Sequence, residues 1–151
     1  MGQMLVEAGR PQSNLSRMRT VIEEARQHGA DLVLLPELLD CGWCDESARE
    51  HARSIPGETF DTLSQAAADS GVHLCAGLSE RAGENIYNSA VLISPTGDLL
   101  LKHRKVNELS IARHIYATGK SAKAICETPL GTLGLMICSD GFFPGQALTR
   151  A

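Results

Sequence analysis

Apolar positions along this chain follow two rhythms. After Ser13 they recur at helical spacing, at Leu15, Met18, Val21, Ile22 and Ala25, and the pattern stops at Gly29. That stripe predicts an amphipathic helix with Ser13 as its N-cap. A second helix is expected from about Thr59 to Ser70, with Phe60, Leu63, Ala66 and Ala67 inward and Gly71 as the stop. Between them the run Leu32 to Leu35 is continuously apolar and ends at Pro36, the pattern of a strand buried on both faces. Residues 72–78 read as another strand, and AGEN beyond them is turn chemistry. Residues 87–93 and 99–104 predict a hairpin around SPTGD, and residues 123–127 and 133–138 a second around TPLGT. Loop is expected from Asn107 to about Ala122. Helix, strand, helix, strand and then strand pairs predict an α/β fold, with a mixed sheet and helices on one face.

Composition narrows the function classes. A chain of 151 residues fits one domain with a sizeable core. Its net charge of −4 and aromatic content of 4% argue against a nucleic-acid surface. No apolar run approaches the ~18 residues of a membrane span. The start MGQMLVEAGRPQS lacks the basic and apolar blocks of a secretory signal, and Val6 stands where a myristoylation motif requires Ser or Thr. Five irregularly spaced cysteines fit reduced thiols in the cytoplasm better than a disulfide framework.

Three polar residues follow buried runs: Glu37 after LVLLP, Lys105 after LLLKHR, and Cys138 after LGLMI. In open α/β sheets ligand chemistry gathers beyond the carboxyl ends of strands. A thiol that attacks, a carboxylate that takes its proton and an ammonium that holds a developing oxyanion would make a nucleophile set. Each residue alone has an ordinary reading: a small buried hydrophobe for Cys138, a helix-start acid for Glu37 and a solvated strand-end charge for Lys105. The three together carry the functional reading.

These residues sit in stretches that resemble the nitrilase, or carbon–nitrogen hydrolase, superfamily. The stretches are GADLVLLPELLDCGW, NSAVLISPTGDLLLKHRKVNEL and TPLGTLGLMICSDGFFP, preceded by EEARQHGADL. The resemblance implies a Glu-Lys-Cys triad, with Glu37 as general base, Cys138 as nucleophile and Lys105 holding the oxyanion with a backbone N–H just after Cys138. It implies hydrolysis of a small amide, carbamoyl or nitrile substrate, more of an amidase or carbamoylase type than a true nitrilase. No cofactor or metal is called for, and the parent is expected to be a homo-oligomer. Family members often carry a second, positioning glutamate beyond the lysine; Glu108 is the candidate here, while Arg113 and His114 occupy the usual distance. Ser139 stands where an aromatic residue is frequent and is expected to border the substrate.

The family fold implied is an α-β-β-α sandwich, of which 151 residues supply half. The chain is therefore expected to be a partial domain over residues 1–151, with the C-terminal part absent, the first strand clipped around GQMLVEAG and one sheet face uncovered. Other readings are a non-catalytic or pseudo-enzyme module that kept the fold, and a thiol–disulfide protein built on CGWC, Cys41 to Cys44. In the second of these, LPELLD separates the pair from its strand, where a redox motif would open a helix directly. Cys75, Cys126, His51, His73, His103 and His114 have no zinc spacing and read as core or surface residues. Gly131 and Gly134 do not make a phosphate loop.

Overall fold

The computed structural model describes residues 1–120 and 125–143. The elements in chain order are α1 (Pro11–Gln27), β1 (Leu32–Leu34), α2 (Ala48–His51), α3 (Glu58–Ser70), β2 (His73–Ala82), β3 (Asn85–Ile93), β4 (Leu99–Arg104), β5 (Ile125–Thr128) and β6 (Gly131–Gly134). Single 3-10 turns occupy Ser110–Ala112 and Cys138–Phe142. The main sheet has the order β1-β2-β3-β4, with β1 parallel to β2 and the remaining pairs antiparallel. The α/β class and the mixed sheet with helices on one face are as expected.

Helix α1 starts earlier than the Ser13 cap predicts. Pro11 occupies the first turn, where its missing N–H is no loss and its fixed φ suits the helix, and Arg10 precedes it without a side-chain cap bond. Asn14 turns inward and is fully buried. Its Nδ2 donates to the carbonyls of Glu7 (2.8 Å) and Asp40 (2.9 Å), which ties the helix to the loop that follows β1. Helix α3 ends as expected, with Gly71 as a left-handed cap at φ 64°.

Side chains leave the sheet alternately to its two faces. Leu74, Ala76, Leu78, Val91 and Ile93 join Met18 and Ile22 of α1 and Phe60 and Leu63 of α3 in the helix-side core. Ala90 and Leu92 point the other way and meet Leu135 and Ile137. The length argument expects this second face to be bare; instead it is covered in part. The β5–β6 hairpin and the residues after it lie against it, with Cys126 and Leu133, like Cys75 and Leu101, packed against that cluster. Leu34 and Met136 stay about half exposed. The hairpin is shorter than the apolar pattern predicts: β6 stops at Gly134, and Leu135 to Ile137 reach Cys138 outside any strand. The first strand was expected from Lys123; residues 123 and 124 lie outside the described residues.

A β-bulge sits at the start of β4, where Leu92 pairs with Leu101 and Ile93 with Leu99, so Leu100 is the extra residue. Further along, Glu80 of β2 is buried and accepts hydrogen bonds from Lys102 Nζ (2.7 Å), Arg104 Nε (2.8 Å) and Nη2 (2.6 Å), and Ser89 Oγ (2.6 Å). The Arg104 guanidinium also lies 4.0 Å from the Tyr87 ring centroid. Burial alone would raise the Glu80 pKa, but the bonds from Arg104, Lys102 and Ser89 outweigh it and hold the carboxyl at about 2 against an ordinary 4.5.

The folded pKa lies below the unfolded one, so ionised Glu80 stabilises the fold in full above pH 4.5, and the contribution fades as pH falls through about 2. Glu80→Gln should lose about 3 kcal/mol near neutral pH and melt with a flatter acid limb than the parent. Thermal melts of both proteins across the acid range check this.

Candidate functional site

Glu37 stands two residues past Leu35, whose N–H donates to the Cys75 carbonyl at 2.8 Å and carries the β1–β2 pairing to the end of the apolar run. The chain then stays against β2, since Gly77 N donates to the Pro36 carbonyl (3.1 Å) and Leu39 N to the Gly77 carbonyl (2.9 Å). This close approach requires glycine at 77. A Cβ there would lie 2.7 Å from Glu37 Cα and from Leu38 N, a distance real Cβ atoms do not keep. Leu38 itself takes the left-handed φ of 49°, which turns the chain away beyond the carboxylate. Asp40 anchors the same loop, its carboxylate accepting from Ser79 N at 3.0 and 3.1 Å.

Lys105 continues β4, and its N–H donates to the Asn88 carbonyl at 2.8 Å. Its side chain is fully buried, unlike the solvated charge that a strand-end lysine suggests. Nζ donates to Glu37 Oε1 at 2.7 Å, and Asn88 Nδ2 donates to the same oxygen at 2.7 Å. Burial opposes the ammonium charge, but the Glu37 hydrogen bond and the charges of Glu37, Glu108 and Cys138 outweigh it, so the Lys105 pKa lies above its ordinary value. The loop beyond returns across this strand end: Gly119 N donates to the Lys105 carbonyl at 2.8 Å.

Cys138 opens the 3-10 turn with φ 43°, left-handed backbone that a residue with a Cβ rarely adopts. Such strain persists only where the surroundings over-determine it, and it clusters at functional sites. Cys138 is exposed, and it lines one cavity of about 440 Å³ with Glu37, Leu34, Cys75, Gly77 and Met136. The structure thus places Glu37 and Cys138 on one cavity and bonds Lys105 to Glu37.

The two weaker candidates lie on a neighbouring cavity of about 380 Å³, lined also by Asn107, Ser110, Arg113 and Phe142. Ser139 is buried, and its Oγ donates to the Asn107 carbonyl; it does not line the cavity of Cys138. Glu108 is 3% exposed, and neither carboxyl oxygen has a hydrogen-bond partner among the described residues. Its burial drives the pKa up and the Glu37 charge adds to that, so the carboxyl sits at about 7 although Lys105 pulls it down.

Asn88 escaped the sequence reading because NSAVLI reads as an ordinary strand. An amide at an inward strand position, paired in register with Ser79, was its one signal. In the sequence Cys44 stands out only as the partner of Cys41 in CGWC, yet its thiol, whose pKa is raised first by burial, also feels the charges of Glu108, Lys105 and Glu37. Burial pushes the Cys41 thiol to about 12, far from the thiolate a redox pair needs. Among the described residues no group of three His, Cys, Asp or Glu could hold a metal ion, and no helix is long and apolar enough to cross a membrane.

A buried ammonium paired with a carboxylate on a cavity wall, and a strained thiol on the same wall, invite comparison with known enzymes. The family model for carbon–nitrogen hydrolases matches residues 1–151. The nitrilase of Pyrococcus abyssi (strain GE5 / Orsay) is 37% identical over 153 residues, covering 99% of this chain and 58% of that protein. The omega-amidase NIT2 of Xenopus tropicalis is 34% identical over 137 residues, covering 84% of this chain and 49% of its own length. Among solved structures, Saccharomyces cerevisiae Nit3, a member of branch 10 of the nitrilase superfamily, matches with a TM-score of 0.85 at 27% identity, over 97% of this chain and 57% of that one. The chain spans about half the length of the curated relatives it matches, at 58% and 49% of theirs. With a match along its whole length, the chain belongs to the carbon–nitrogen hydrolase family.

Proposed function

We propose that Glu37, Lys105 and Cys138 are the catalytic residues of a hydrolase that cleaves non-peptide carbon–nitrogen bonds, of amidase or carbamoylase type. The observation that carries this is the 2.7 Å hydrogen bond from the fully buried Lys105 to Glu37, on the cavity that Glu37 shares with Cys138. The named relatives, a nitrilase and an omega-amidase, support a small substrate with a carbon–nitrogen bond.

Glu37 removes the thiol proton of Cys138. The thiolate adds to the amide carbon, and Lys105 with the backbone N–H that follows Cys138 holds the oxyanion. Glu37 then hands its proton to the leaving nitrogen, the C–N bond breaks, and a thioester remains on Cys138. A nitrile would give a thioimidate by the same addition. Glu37 next deprotonates water, which attacks the thioester; the acid leaves, and the thiol is restored. A free thiol, near pKa 8.5, is only a few per cent ionised at neutral pH, so a base beside it is needed. Asn88 supports Glu37 without competing for its role, since it donates to the oxygen that Lys105 already holds.

Glu108 lines the neighbouring cavity and acts on the site through its charge interactions with Lys105 and Glu37; it positions substrate from that side, its pKa of about 7 leaving a share of it protonated at neutral pH. Ser139 supports the wall of that neighbouring cavity. The enzyme is a homo-oligomer, and its five free cysteines suit the reducing cytoplasm.

Replacement of the nucleophile, Cys138→Ala, should abolish amide hydrolysis while leaving the thermal melt near that of the parent. Glu37→Gln should slow acylation about 10²- to 10⁴-fold, as seen by single-turnover kinetics. A stoichiometric thiol alkylator should label Cys138 first; labelling of Cys41 or Cys126 with activity retained would overturn the assignment. The folded pKa of Glu108, about 7, lies above its ordinary 4.5, so its contribution to stability is complete below the lower value and is lost as pH rises through the higher. Melting the parent and Glu108→Gln across this range should show a decline of up to about 3 kcal/mol in the parent that the variant lacks.

A further inference from the structure

One buried carboxylate joins two of the proposed catalytic residues without touching substrate. Asp140 is 0% exposed. Its Oδ1 accepts hydrogen bonds from Asn107 N (2.8 Å), Val106 N (3.1 Å) and Asn107 Nδ2 (3.1 Å). Its Oδ2 accepts from His103 Nε2 (2.8 Å) and Ile137 N (3.4 Å). The sequence positions of these donors matter more than their number. His103 precedes Lys105 by two residues and Val106 follows it directly, so the lysine is bracketed by groups bound to one carboxylate. Ile137 directly precedes Cys138, and Asp140 lies two residues beyond it, so the cysteine is bracketed as well.

From this arrangement we infer that Asp140 is a positioning residue that fixes the turn bearing Cys138 to the strand end bearing Lys105, and so sets the separation of thiol and ammonium. The inference rests on the catalytic reading of those two residues given above. The turn needs such a clamp, because Cys138 is held at φ 43° and the segment before it belongs to no strand. Backbone pairing therefore does not fix the sulfur, as it fixes Lys105 through β3 and β4. Ser139 adds a lesser link through the Asn107 carbonyl. The carboxylate keeps its charge. Burial would raise its pKa, but the His103 bond and the backbone donors hold it at about 2. An amide of the same shape would turn an NH2 group toward either the His103 and Ile137 donors or the Val106 and Asn107 donors.

The test uses the intact enzyme, with propionamide as substrate and iodoacetamide as the probe of Cys138, read by intact mass. Asp140→Asn should lower kcat about 10²-fold, the effect expected of a reacting group displaced by about 1 Å, with KM within about twofold and slower alkylation of Cys138. Leu63→Ala, destabilised in the helix-side core by a side chain that lines neither cavity, should keep the parent kcat and alkylation rate below its melting temperature. Parent kcat and alkylation in Asp140→Asn, with only a lower Tm, would overturn the inference and leave Asp140 a purely structural residue. Should Asp140→Asn fail to fold, Asn107→Ala decides: a several-fold loss of kcat and of alkylation rate at unchanged KM supports the clamp, and parent values refute it. Full activity in Cys138→Ala would instead refute the catalytic reading itself, an outcome distinct from any Asp140 result. If the parent does not turn over propionamide, the alkylation rates alone decide.

Discussion

An ammonium closed off from water must have a counter-charge, and in this protein Glu37 supplies it for Lys105 at 2.7 Å. Leaving either charge buried and alone would cost several kcal/mol, so the two strand ends that carry them are held to one arrangement. The residues are 68 positions apart in the chain. The sheet brings them together: β1 runs parallel to β2, β3 and β4 follow as antiparallel neighbours, and Asn88 of β3 touches both ends at once. Its carbonyl accepts the Lys105 N–H, and its amide donates to the Glu37 carboxylate. The pair is thus tied to the backbone ladder as well as to itself.

The sulfur reaches the same cavity by other means. It follows a short excursion outside the strands, sits on strained backbone, and is located by polar bonds to the Asp140 carboxylate instead of by a ladder. The charged groups are thus held by strand pairing, and the thiol by a pinned turn. The carboxylate of Glu37 and the ammonium of Lys105 are held in place, while the Cys138 thiol stays exposed on the cavity wall. Two carboxyl groups near Lys105 also differ in setting: Glu37 is hydrogen-bonded twice, whereas Glu108 is buried with no partner among the described residues and is pushed toward protonation.

Much of this was readable from the chain alone, because the relevant signals are local. Helical spacing in α1 and α3, the left-handed cap at Gly71 and the SPTGD hairpin each depend on a few neighbouring residues, and the structure follows them. Where two local signals competed, the stiffer one won: Pro11 starts α1 although Ser13 offered a cap. The apolar run before Cys138 predicted a strand up to the sulfur, yet β6 stops at Gly134, since Leu135 and Ile137 serve the sheet's second face as packing residues and not as ladder members. The burial of Lys105 and the roles of Asn88 and Asp140 were not legible. Each is defined by partners distant in sequence, and a single asparagine or an SDG turn carries no mark of them. The face expected to be bare is covered in part, as hydrophobic residues of the late hairpin fold back onto it while Leu34 and Met136 stay about half exposed.

Gly77 shows how far the constraint on this site extends beyond the residues that carry charge. It bears no functional group, yet the backbone of Glu37 rests directly on its Cα, where the space for even a methyl is taken. Under the catalytic reading proposed above, genetic change at that codon would masquerade as damage to Glu37. An assay would report lost chemistry while every reactive side chain remained in the sequence, and the lesion would lie in a hydrogen atom exchanged for carbon.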